Sequence, residues 1–382
     1  MKKICIITTQ ESSIKNWFVP ILDIYPALGL DVTVVSKISG EFAEQLKHDF
    51  PFVHVKSFPF PRGISVLGSF SGIAQLTKFF RKEKFDYIQY HTPNGSLYGS
   101  VAGWLCRIPI RVYGQWGVRY VSEKGFKRKI LKFLEKVTCR FSTQVHAQSP
   151  KNRQFNIDEK LCPPDKISVI GIGGTIGVDF AEFDFSRKQE YRCDIRKKLS
   201  LTPSDFVFGF IGRIHRDKGV NELAEAFRGI EHSKLLIIGD CDKNYPPTEA
   251  TLQYLKTDPD VIYLDRIPRS DVGKYLSAMD VFVYPTYREG FGHVLQEAMT
   301  MALPVITTDI PGPSEVVECH ISGELVPVQN SGALRTAMEL LRQDEQRRIR
   351  YAVNARKRAE EYFEKSIMVS HVIDDYKETL RL

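Results

Sequence analysis

Short apolar runs alternate with segments of helical periodicity along the whole chain. In the first half the apolar runs predict strands at 3–9, 32–36, 52–58, 87–91, 111–115, 143–148 and 166–170. A second series predicts strands at 206–212, 234–239, 261–264, 281–284 and 305–308. Continuous rather than alternating apolar runs are typical of parallel strands that are buried on both faces. The pattern therefore predicts an α/β protein with two doubly wound parallel sheets.

The segments between these runs predict helices and one domain boundary. Helical periodicity covers 13–27, 66–81, 96–107, 126–139, 194–199, 294–301 and 332–342, and the charged tail from 344 onward is also helix-prone. A glycine-rich stretch ends near residue 179, and the polar residues after it show no clear period. We therefore expect a first domain over 1–179, a linker over 180–193, and a second domain over 194–362.

The length and the cysteines exclude several classes of protein. The 382 residues suffice for two domains with large cores. The seven cysteines are scattered and contain no Cys-x-x-Cys, so they predict neither a disulfide framework nor a zinc site. The apolar run at the start is too short for a signal peptide, and no later run has the length of a membrane span. A cytoplasmic protein is the expectation.

Charge is distributed unevenly between the two halves. Residues 1–180 carry a net charge of +11, whereas residues 181–382 carry −4. An anionic partner for the first half is therefore expected, and charge alone leaves nucleic acid and a membrane surface both open.

The stretch 280–309 contains the most specific pattern of the chain. It predicts strand, loop, helix and strand, with Glu289 in the loop and Glu297 about one turn inside the helix. Gly290, Phe291 and Gly292 lie between them, and the two glycines allow the backbone to approach a ligand closely. The helix N-terminus offers unpaired N–H groups to an anion, at the edge where open α/β sheets bind ligands.

Glu289 and Glu297, separated by seven residues around Gly-Phe-Gly, resemble the paired glutamates of the retaining glycosyltransferases of family 4. The resemblance implies a GT-B arrangement, with two Rossmann-like domains and an active site in the cleft between them. It also implies that a last helix, within 363–382, packs back on the first domain. In this family Glu289 would hold hydroxyls of the donor sugar and Glu297 the ribose, and Gly290, Phe291 and Gly292 would line the donor site.

The loop after the strand at 206–212 resembles the family's diphosphate loop. Arg213 and Lys218 are five residues apart, as in the family, where both cations reach the nucleotide diphosphate. Fixed cations aimed at the β-phosphate would stabilise the charge of the departing group. Together with Glu289 they form the predicted catalytic set.

The first domain carries the weaker part of the resemblance. His91 and Asn94 match an acceptor-side His-x-Pro-x-Gly loop, and Arg62 and Arg119 are further acceptor-side candidates. Trp116 stands where many relatives carry a histidine near the donor sugar, which leaves the composition of that pocket open. Many relatives have paired glycines in the first loop, and this chain lacks them. Ser13 is therefore a candidate to donate a hydrogen bond to a phosphate of the nucleotide sugar.

Two features allow more than one interpretation. Residues 126, 130, 133, 134 and 137 form an apolar stripe on a basic helix, which either packs against the core with a solvated basic face or lies on a membrane surface. Asp240 and Asp242 have the spacing of a metal-binding pair, but their place after a strand favours a structural turn. The resemblance implies leaving-group stabilisation by Arg and Lys, so no metal and no other cofactor are expected.

The resemblance implies a retaining glycosyltransferase that moves a hexose or N-acetylhexosamine from a nucleotide sugar, with UDP as the expected nucleotide. The expected acceptor is a polyprenyl-diphosphate-linked glycan in polysaccharide, O-antigen or capsule biosynthesis, reached at the inner face of the plasma membrane. The alternatives are a GT-B-fold nucleotide-sugar epimerase and a non-catalytic sugar-nucleotide-binding member. No nucleic-acid partner is expected, because the aromatics of the basic helix lie on its apolar stripe. The sequence does not identify the sugar, the linkage or the oligomeric state.

Overall fold

Two parallel sheets organise the chain, as the apolar runs predicted. The computed structural model describes residues 1–60, 66–174 and 176–382. It divides into a first unit, Met1–Ile176 with Met368–Leu382, and a second unit, Gly177–Ile367. The first sheet has seven strands and the second has six.

The sheet of the first unit has the strand order β3-β2-β1-β4-β5-β6-β7, and every neighbouring pair is parallel. The inner strand that runs from Lys2 to Ile7 is fully buried from Ile4 to Ile7, because helices cover both faces of the sheet. The strands are β1 (Lys2–Ile7), β2 (Leu30–Ser36), β3 (His54–Ser57), β4 (Tyr87–Tyr90), β5 (Ile110–Gln115), β6 (Gln144–Ala147) and β7 (Ile167–Val169).

The expected single helix over 13–27 is wrong. Pro20 and Pro26 interrupt it, since a proline inside a helix removes a hydrogen bond and clashes with the preceding turn. Two short helices and a 3₁₀ turn, Val19–Ile21, take its place. The helices of this part of the chain are α1 (Glu11–Trp17), α2 (Ile24–Ala27), α3 (Gly40–Asp49), α4 (Val66–Glu83), α5 (Pro93–Leu105), α6 (Gly125–Phe141) and α7 (Pro150–Asp158).

The sheet of the second unit has the order β10-β9-β8-β11-β12-β13, again with parallel pairing throughout. The strands are β8 (Phe206–Ile211), β9 (Ser233–Ile238), β10 (Val261–Leu264), β11 (Val281–Tyr284), β12 (Val305–Thr308) and β13 (Gly323–Val326). The helices are α8 (Lys188–Lys198), α9 (Val220–Phe227), α10 (Glu249–Thr257), α11 (Val272–Ser277), α12 (His293–Thr300), α13 (Pro313–Val316), α14 (Ser331–Gln343) and α15 (Glu345–Arg358).

Residues 180–193, expected to form a linker, belong to the second unit. Phe183 is fully buried, and α8 begins already at Lys188. Arg192 on this helix lies 2.6 Å from Asp280, and Arg196 reaches the other oxygen of the same carboxylate at 2.9 Å. These ion pairs attach α8 to Asp280, the residue that precedes the strand β11.

The last helix, α16 (Lys365–Leu380), begins in the second unit and ends in the first. Tyr376 and Leu380 are buried in the core of the first unit with Tyr25 and Val112. The Tyr376 hydroxyl also contacts the side chain of Gln89 on β4. The C-terminal residues are therefore part of the first core and not an appended tail.

Candidate active site

The loops that follow β8 and β11 touch at the carboxyl edge of the second sheet. Gly219 has φ +69°, and a Cβ there would lie 2.0 Å from the carbonyl oxygen of Pro285. Asp217 links the same loops, because its carboxylate accepts from Arg288 Nε at 3.0 Å and its carbonyl accepts from the Tyr287 N–H at 2.8 Å. Close backbone approach and these bonds fix one loop against the other.

Lys218 and Glu289, which are 71 residues apart in sequence, form an ion pair in this region. Lys218 Nζ lies 2.6 Å from Glu289 Oε2, and the Tyr284 hydroxyl donates to the same oxygen at 3.1 Å. Burial alone would raise the pKa of Glu289, but the charge and hydrogen bond of Lys218 outweigh it and lower that pKa. Burial likewise opposes the charge of Lys218, and Glu289 raises the pKa of Lys218 in spite of it. Both groups are therefore charged at neutral pH.

Glu297 lies on α12 with its side chain only 5% exposed. Its Oε1 atom lies 2.6 Å from Arg269 Nη1 and 3.3 Å from His293 Nε2. Arg269 also lies 3.4 Å from Glu182. Sequence reasoning missed Arg269, because an arginine beside a proline in a loop has no motif that separates it from a solvated cation.

Arg213 is less constrained than Lys218. Its side chain is 65% exposed, and Nη1 lies 3.2 Å from Asp242 Oδ2. The other oxygen of Asp242 accepts from the backbone N–H groups of Asn244 and Tyr245 at 2.9 and 3.1 Å. In this structure Asp242 therefore caps its own turn and restrains Arg213.

The residues between the two glutamates form the N-terminal end of α12. Gly292 is the N-cap with φ +91°, a conformation that favours glycine. Phe291 is buried and packs edge-on against Phe363, with the ring centroids 6.1 Å apart. Gly290 donates its N–H to Glu289 Oε1 at 3.1 Å, which orients that carboxylate. The predicted donor-side residues of the second unit thus lie in one continuous segment.

The first unit brings His91 and Trp116 together. Their rings stack with centroids 4.3 Å apart, and His91 is only 3% exposed. Burial lowers the pKa of His91 to about 3, so its imidazole is neutral at physiological pH. His91 and Trp116 follow the neighbouring strands β4 and β5, which places both at the carboxyl edge of the first sheet.

The remaining predicted residues of the first unit are more dispersed. Ser13 lies inside α1 and not in a loop as expected, because the helix begins at Glu11. Asn94 is half-buried in the first turn of α5 and lines a cavity with Tyr120 and Glu135. The backbone of Arg119 starts a 3₁₀ turn, Arg119–Ser122. Arg62 lies outside the described residues.

The apolar stripe of α6 faces the core only in part. Phe126 is 77% exposed and Phe133 is 64% exposed, whereas Ile130, Leu134 and Val137 of the same stripe are half-buried. Leu131, Thr138 and Cys139 are buried on the side of the helix away from the two phenylalanines. The interpretation of the stripe as core-facing is therefore wrong for Phe126 and Phe133. Lys129 and Lys136 are exposed on the same side as the two phenylalanines. We call these four side chains the basic aromatic face. Within 1–60, 66–174 and 176–382, no helix has both the length and the apolarity of a membrane span.

One group of possible metal ligands occurs in the described part of the chain. Ligand atoms of Cys319, His320 and Glu324 lie within 4.8 Å of one another beside β13. The two oxygens of Glu324 are already engaged, one by the Tyr351 hydroxyl at 2.8 Å and the other by His320 Nδ1 at 2.8 Å. This arrangement accounts for the buried carboxylate without an ion.

Residues 192–358 match the family described as "Glycosyl transferases group 1", and residues 21–173 match "Glycosyl transferase 4-like domain". The capsular polysaccharide biosynthesis glycosyltransferase CapM of Staphylococcus aureus is 31% identical over 356 residues, which cover 92% of this chain and 91% of CapM. The chain is a glycosyltransferase of this family. The predicted family and enzyme class are thereby confirmed.

Further relatives of this glycosyltransferase carry more specific names. An Escherichia coli protein named UDP-Gal:alpha-D-GlcNAc-diphosphoundecaprenol alpha-1,3-galactosyltransferase is 27% identical over 331 residues, covering 83% of this chain and 81% of that protein. The HepE protein of Anabaena, solved in complex with UDP, has a TM-score of 0.76 at 19% identity and covers 99% of this chain and 100% of that one. This likeness confirms the GT-B fold. These names give no support to the epimerase alternative.

Proposed function

We propose that this glycosyltransferase transfers a hexose or N-acetylhexosamine from a UDP-sugar to a polyprenyl-diphosphate-linked glycan, with retention at the anomeric carbon. The observation that carries the proposal is the 2.6 Å pair of Lys218 and Glu289 at the carboxyl edge of the second sheet. It joins a fixed cation to a carboxylate able to accept hydrogen bonds from sugar hydroxyls. The names of the Escherichia coli relative and of the UDP complex of HepE support the same donor and acceptor classes.

In the proposed reaction the bond between the anomeric carbon and the β-phosphate oxygen breaks, and a bond to the acceptor hydroxyl oxygen forms. The acceptor proton passes to the departing phosphate. Lys218 and Arg213 would neutralise the charge that grows on the diphosphate, which lowers the barrier to departure. Glu289 would hold the transferred sugar and Glu297 the ribose. With cations of the chain in this role, we propose that transfer needs no metal, and full activity in the presence of a chelator is the expected result.

The family membership leaves donor and acceptor to be tested directly. Thermal-shift screening with a panel of UDP- and GDP-sugars should single out one UDP-sugar. Incubation of that sugar with diphosphate-linked N-acetylhexosamines on a short prenyl chain should then give one disaccharide product with retained anomeric configuration. Stabilisation by a GDP-sugar alone would contradict the donor assignment, and transfer to free sugars but not to prenyl-linked ones would contradict the acceptor.

We also propose that the basic aromatic face binds an anionic membrane surface, in place of a nucleic acid, and holds the enzyme at the inner face of the membrane. Exposed phenylalanines flanked by lysines suit a bilayer interface, where the rings enter the headgroup region and the cations meet anionic lipid. A prenyl-linked acceptor would be reached there. The name of the Escherichia coli relative, which gives a diphosphoundecaprenol-linked acceptor, supports this location.

Sedimentation with vesicles tests this face. Changing Lys129 and Lys136 to Gln should weaken binding to phosphatidylglycerol-containing vesicles by about 1 kcal/mol per charge. Changing Phe126 and Phe133 to Ser should weaken it further, while transfer to a short-chain acceptor in solution is kept. The matched control is Lys151→Gln, an exposed lysine on α7. Vesicle binding that is equal in all variants would rule this face out.

A further inference from the structure

Arg269 connects two carboxylates of the second unit that are far apart in sequence. It lies in the loop after β10, at the carboxyl edge of the second sheet. Its Nη1 atom lies 2.6 Å from Oε1 of Glu297 on α12, and its Nε atom lies 3.4 Å from Oε1 of Glu182. Glu182 belongs to 180–193, the segment that the sequence suggested was a linker. This segment therefore contributes to the surroundings of Glu297.

The guanidinium of Arg269 is held in a defined plane. It lies over the ring of the fully buried Phe183, with 5.4 Å from the guanidinium carbon to the ring centroid. A guanidinium is planar and donates in several fixed directions, so it can face Glu297 with one nitrogen and Glu182 with another. A lysine ammonium has no such fork. Three contacts thus orient the Arg269 side chain, although it is 50% exposed.

Glu297 depends on Arg269 for the balance of its charge. The side chain of Glu297 is only 5% exposed, and a buried carboxylate without a cation is strongly destabilising. His293 Nε2 also lies 3.3 Å from Glu297 Oε1. Burial lowers the pKa of His293, so its imidazole is neutral at physiological pH. Among the contacts of Glu297 within 1–60, 66–174 and 176–382, Arg269 therefore supplies the positive charge.

The contacts of Arg269 and His293 both fall on one oxygen of Glu297. Each of these side chains approaches Oε1, and Oε2 lies outside both contacts. A carboxylate accepts hydrogen bonds on both oxygens, whereas a ribose hydroxyl donates. With Oε1 fixed by Arg269, the carboxylate plane is set before a nucleotide arrives. A group that is already ordered binds its ligand more tightly, because less conformational freedom is lost on binding.

We propose that Arg269 is a positioning residue that fixes the Glu297 carboxylate for the donor ribose and thereby sets a preference for nucleotides with both ribose hydroxyls. The proposal rests on the transferase function given above, which places the ribose at Glu297. Arg269 acts here through Glu297 and not on the reacting atoms, so its loss should weaken nucleotide binding without slowing the chemical step. If Arg269 instead competed with the ribose for Glu297, its removal would strengthen nucleotide binding.

Calorimetry with UDP, 2′-deoxy-UDP and 3′-deoxy-UDP provides the test. The parent enzyme should bind UDP about 10-fold more tightly than the analogue that lacks the hydroxyl held by Glu297. Arg269→Ala should bind UDP about 10-fold more weakly than the parent and that analogue with nearly parental affinity, so the preference disappears. Arg269→Lys keeps the charge but lacks the fork, and it should lose part of the preference. A variant that merely loosened the fold would weaken all three nucleotides alike.

Arg187→Ala is the matched control. Arg187 is also 50% exposed, lies 2.5 Å from Glu190 and stacks over the ring of Tyr191 at 4.7 Å, and its loss should leave the preference unchanged. A parental preference in either Arg269 variant, tighter UDP binding by Arg269→Ala, or a fall in kcat at saturating donor would overturn the proposal. If Glu297→Gln abolishes the preference and the Arg269 variants keep it, only the positioning role is rejected. A parent enzyme without any preference would reject the placement of the ribose at Glu297, and the positioning role with it.

Discussion

The polar side chains at the carboxyl edges of the two sheets are held in different ways. In the second unit the charged groups are already paired, Lys218 with Glu289 and Arg269 with Glu297. In the first unit, the buried indole nitrogen of Trp116, stacked on the buried imidazole of His91, has no partner in the described chain. Charges are too expensive to bury alone, so the protein pairs them before a ligand arrives. Burying a neutral hydrogen-bond donor or acceptor without a partner costs less free energy than burying an unpaired charge. Such a group can therefore remain unpaired until a neutral ligand binds.

Among the changes considered, removal of the Lys218 cation from the second unit should have the largest effect on the rate of transfer. Lys218→Ala should lower kcat about 10²-fold or more, through the loss of roughly 3 kcal/mol of leaving-group stabilisation. Rapid-quench assays with saturating donor measure it. Lys234→Ala, which removes a lysine paired with Asp260 elsewhere in the same unit, is the matched control and should retain its rate. A Lys218→Ala enzyme with a normal rate and a native fold would remove this residue from the reaction.

The two glutamates should separate into different kinetic effects. Glu289→Gln removes the charge next to Lys218 and should appear mainly in kcat, because misplacing the reacting sugar slows the reaction steeply. Glu297→Gln should weaken the binding of free UDP about 10-fold, the effect of losing one charge-assisted hydrogen bond to the ribose. Steady-state kinetics of both variants measures kcat, and calorimetry measures their affinity for free UDP. Full kcat in Glu289→Gln, or unchanged UDP affinity in Glu297→Gln, would reject the respective role.

The ion pair also predicts how stability depends on pH. The lowered pKa of Glu289 stabilises the fold above the unfolded value of about 4.3, and this stabilisation is lost as the pH falls through the folded pKa. The raised pKa of Lys218 stabilises the fold below about 10.4, and this contribution is lost as the pH rises through the folded pKa. Glu289→Gln should therefore destabilise the protein by about 1–3 kcal/mol at pH 7, and by less below pH 4. Urea denaturation at both pH values measures it, with the exposed Glu225→Gln as control. A pH-independent difference would show that the pair does not stabilise the fold through its charge.

Salt should distinguish the two sites by a smaller effect. In the proposed donor site UDP pairs with exposed cations such as Arg213, so the affinity for UDP should fall severalfold between about 50 and about 500 mM NaCl. The binding of a neutral ligand in the cavity lined by His91 and Trp116, which has no lysine or arginine among its described lining residues, should stay nearly constant over the same range. Parallel titrations of UDP by calorimetry and of the neutral ligand by fluorescence measure both. Equal salt dependence would remove the electrostatic distinction between the units.

Strands that are buried on both faces could be predicted from the sequence, whereas elements held by distant polar contacts could not. Val281–Tyr284 is entirely apolar, and the observed strand has the predicted bounds. The strand β13 was missed because it contains Gly323 and Glu324. Glu324 is tolerated there because Tyr351, 27 residues away, donates to it, and no local pattern carries that information.

The same limit applies to the candidate site. The motif predicted that Glu289 and Lys218 would lie at the carboxyl edge of one sheet, and the structure brings them into contact. The motif did not indicate that Arg269 would form an ion pair with Glu297. On α6 the periodicity located the apolar stripe, but it did not separate the half-buried residues Ile130, Leu134 and Val137 from the exposed ones. Leu131 and Thr138 fill the core there, and the larger Phe126 and Phe133 are exposed.

The C-terminal helix has a consequence for how the chain matures during synthesis. Tyr376 and Leu380 complete a core whose first strand begins at Lys2, so the first unit depends on residues that are synthesised after the whole of the second unit. Domains generally fold in the order in which they emerge, but here the second unit, Gly177–Ile367, has all its residues available before the first unit does. The second unit can therefore fold first, while the cavity lined by His91, Trp116 and Tyr376 is assembled only once α16 has emerged from the ribosome.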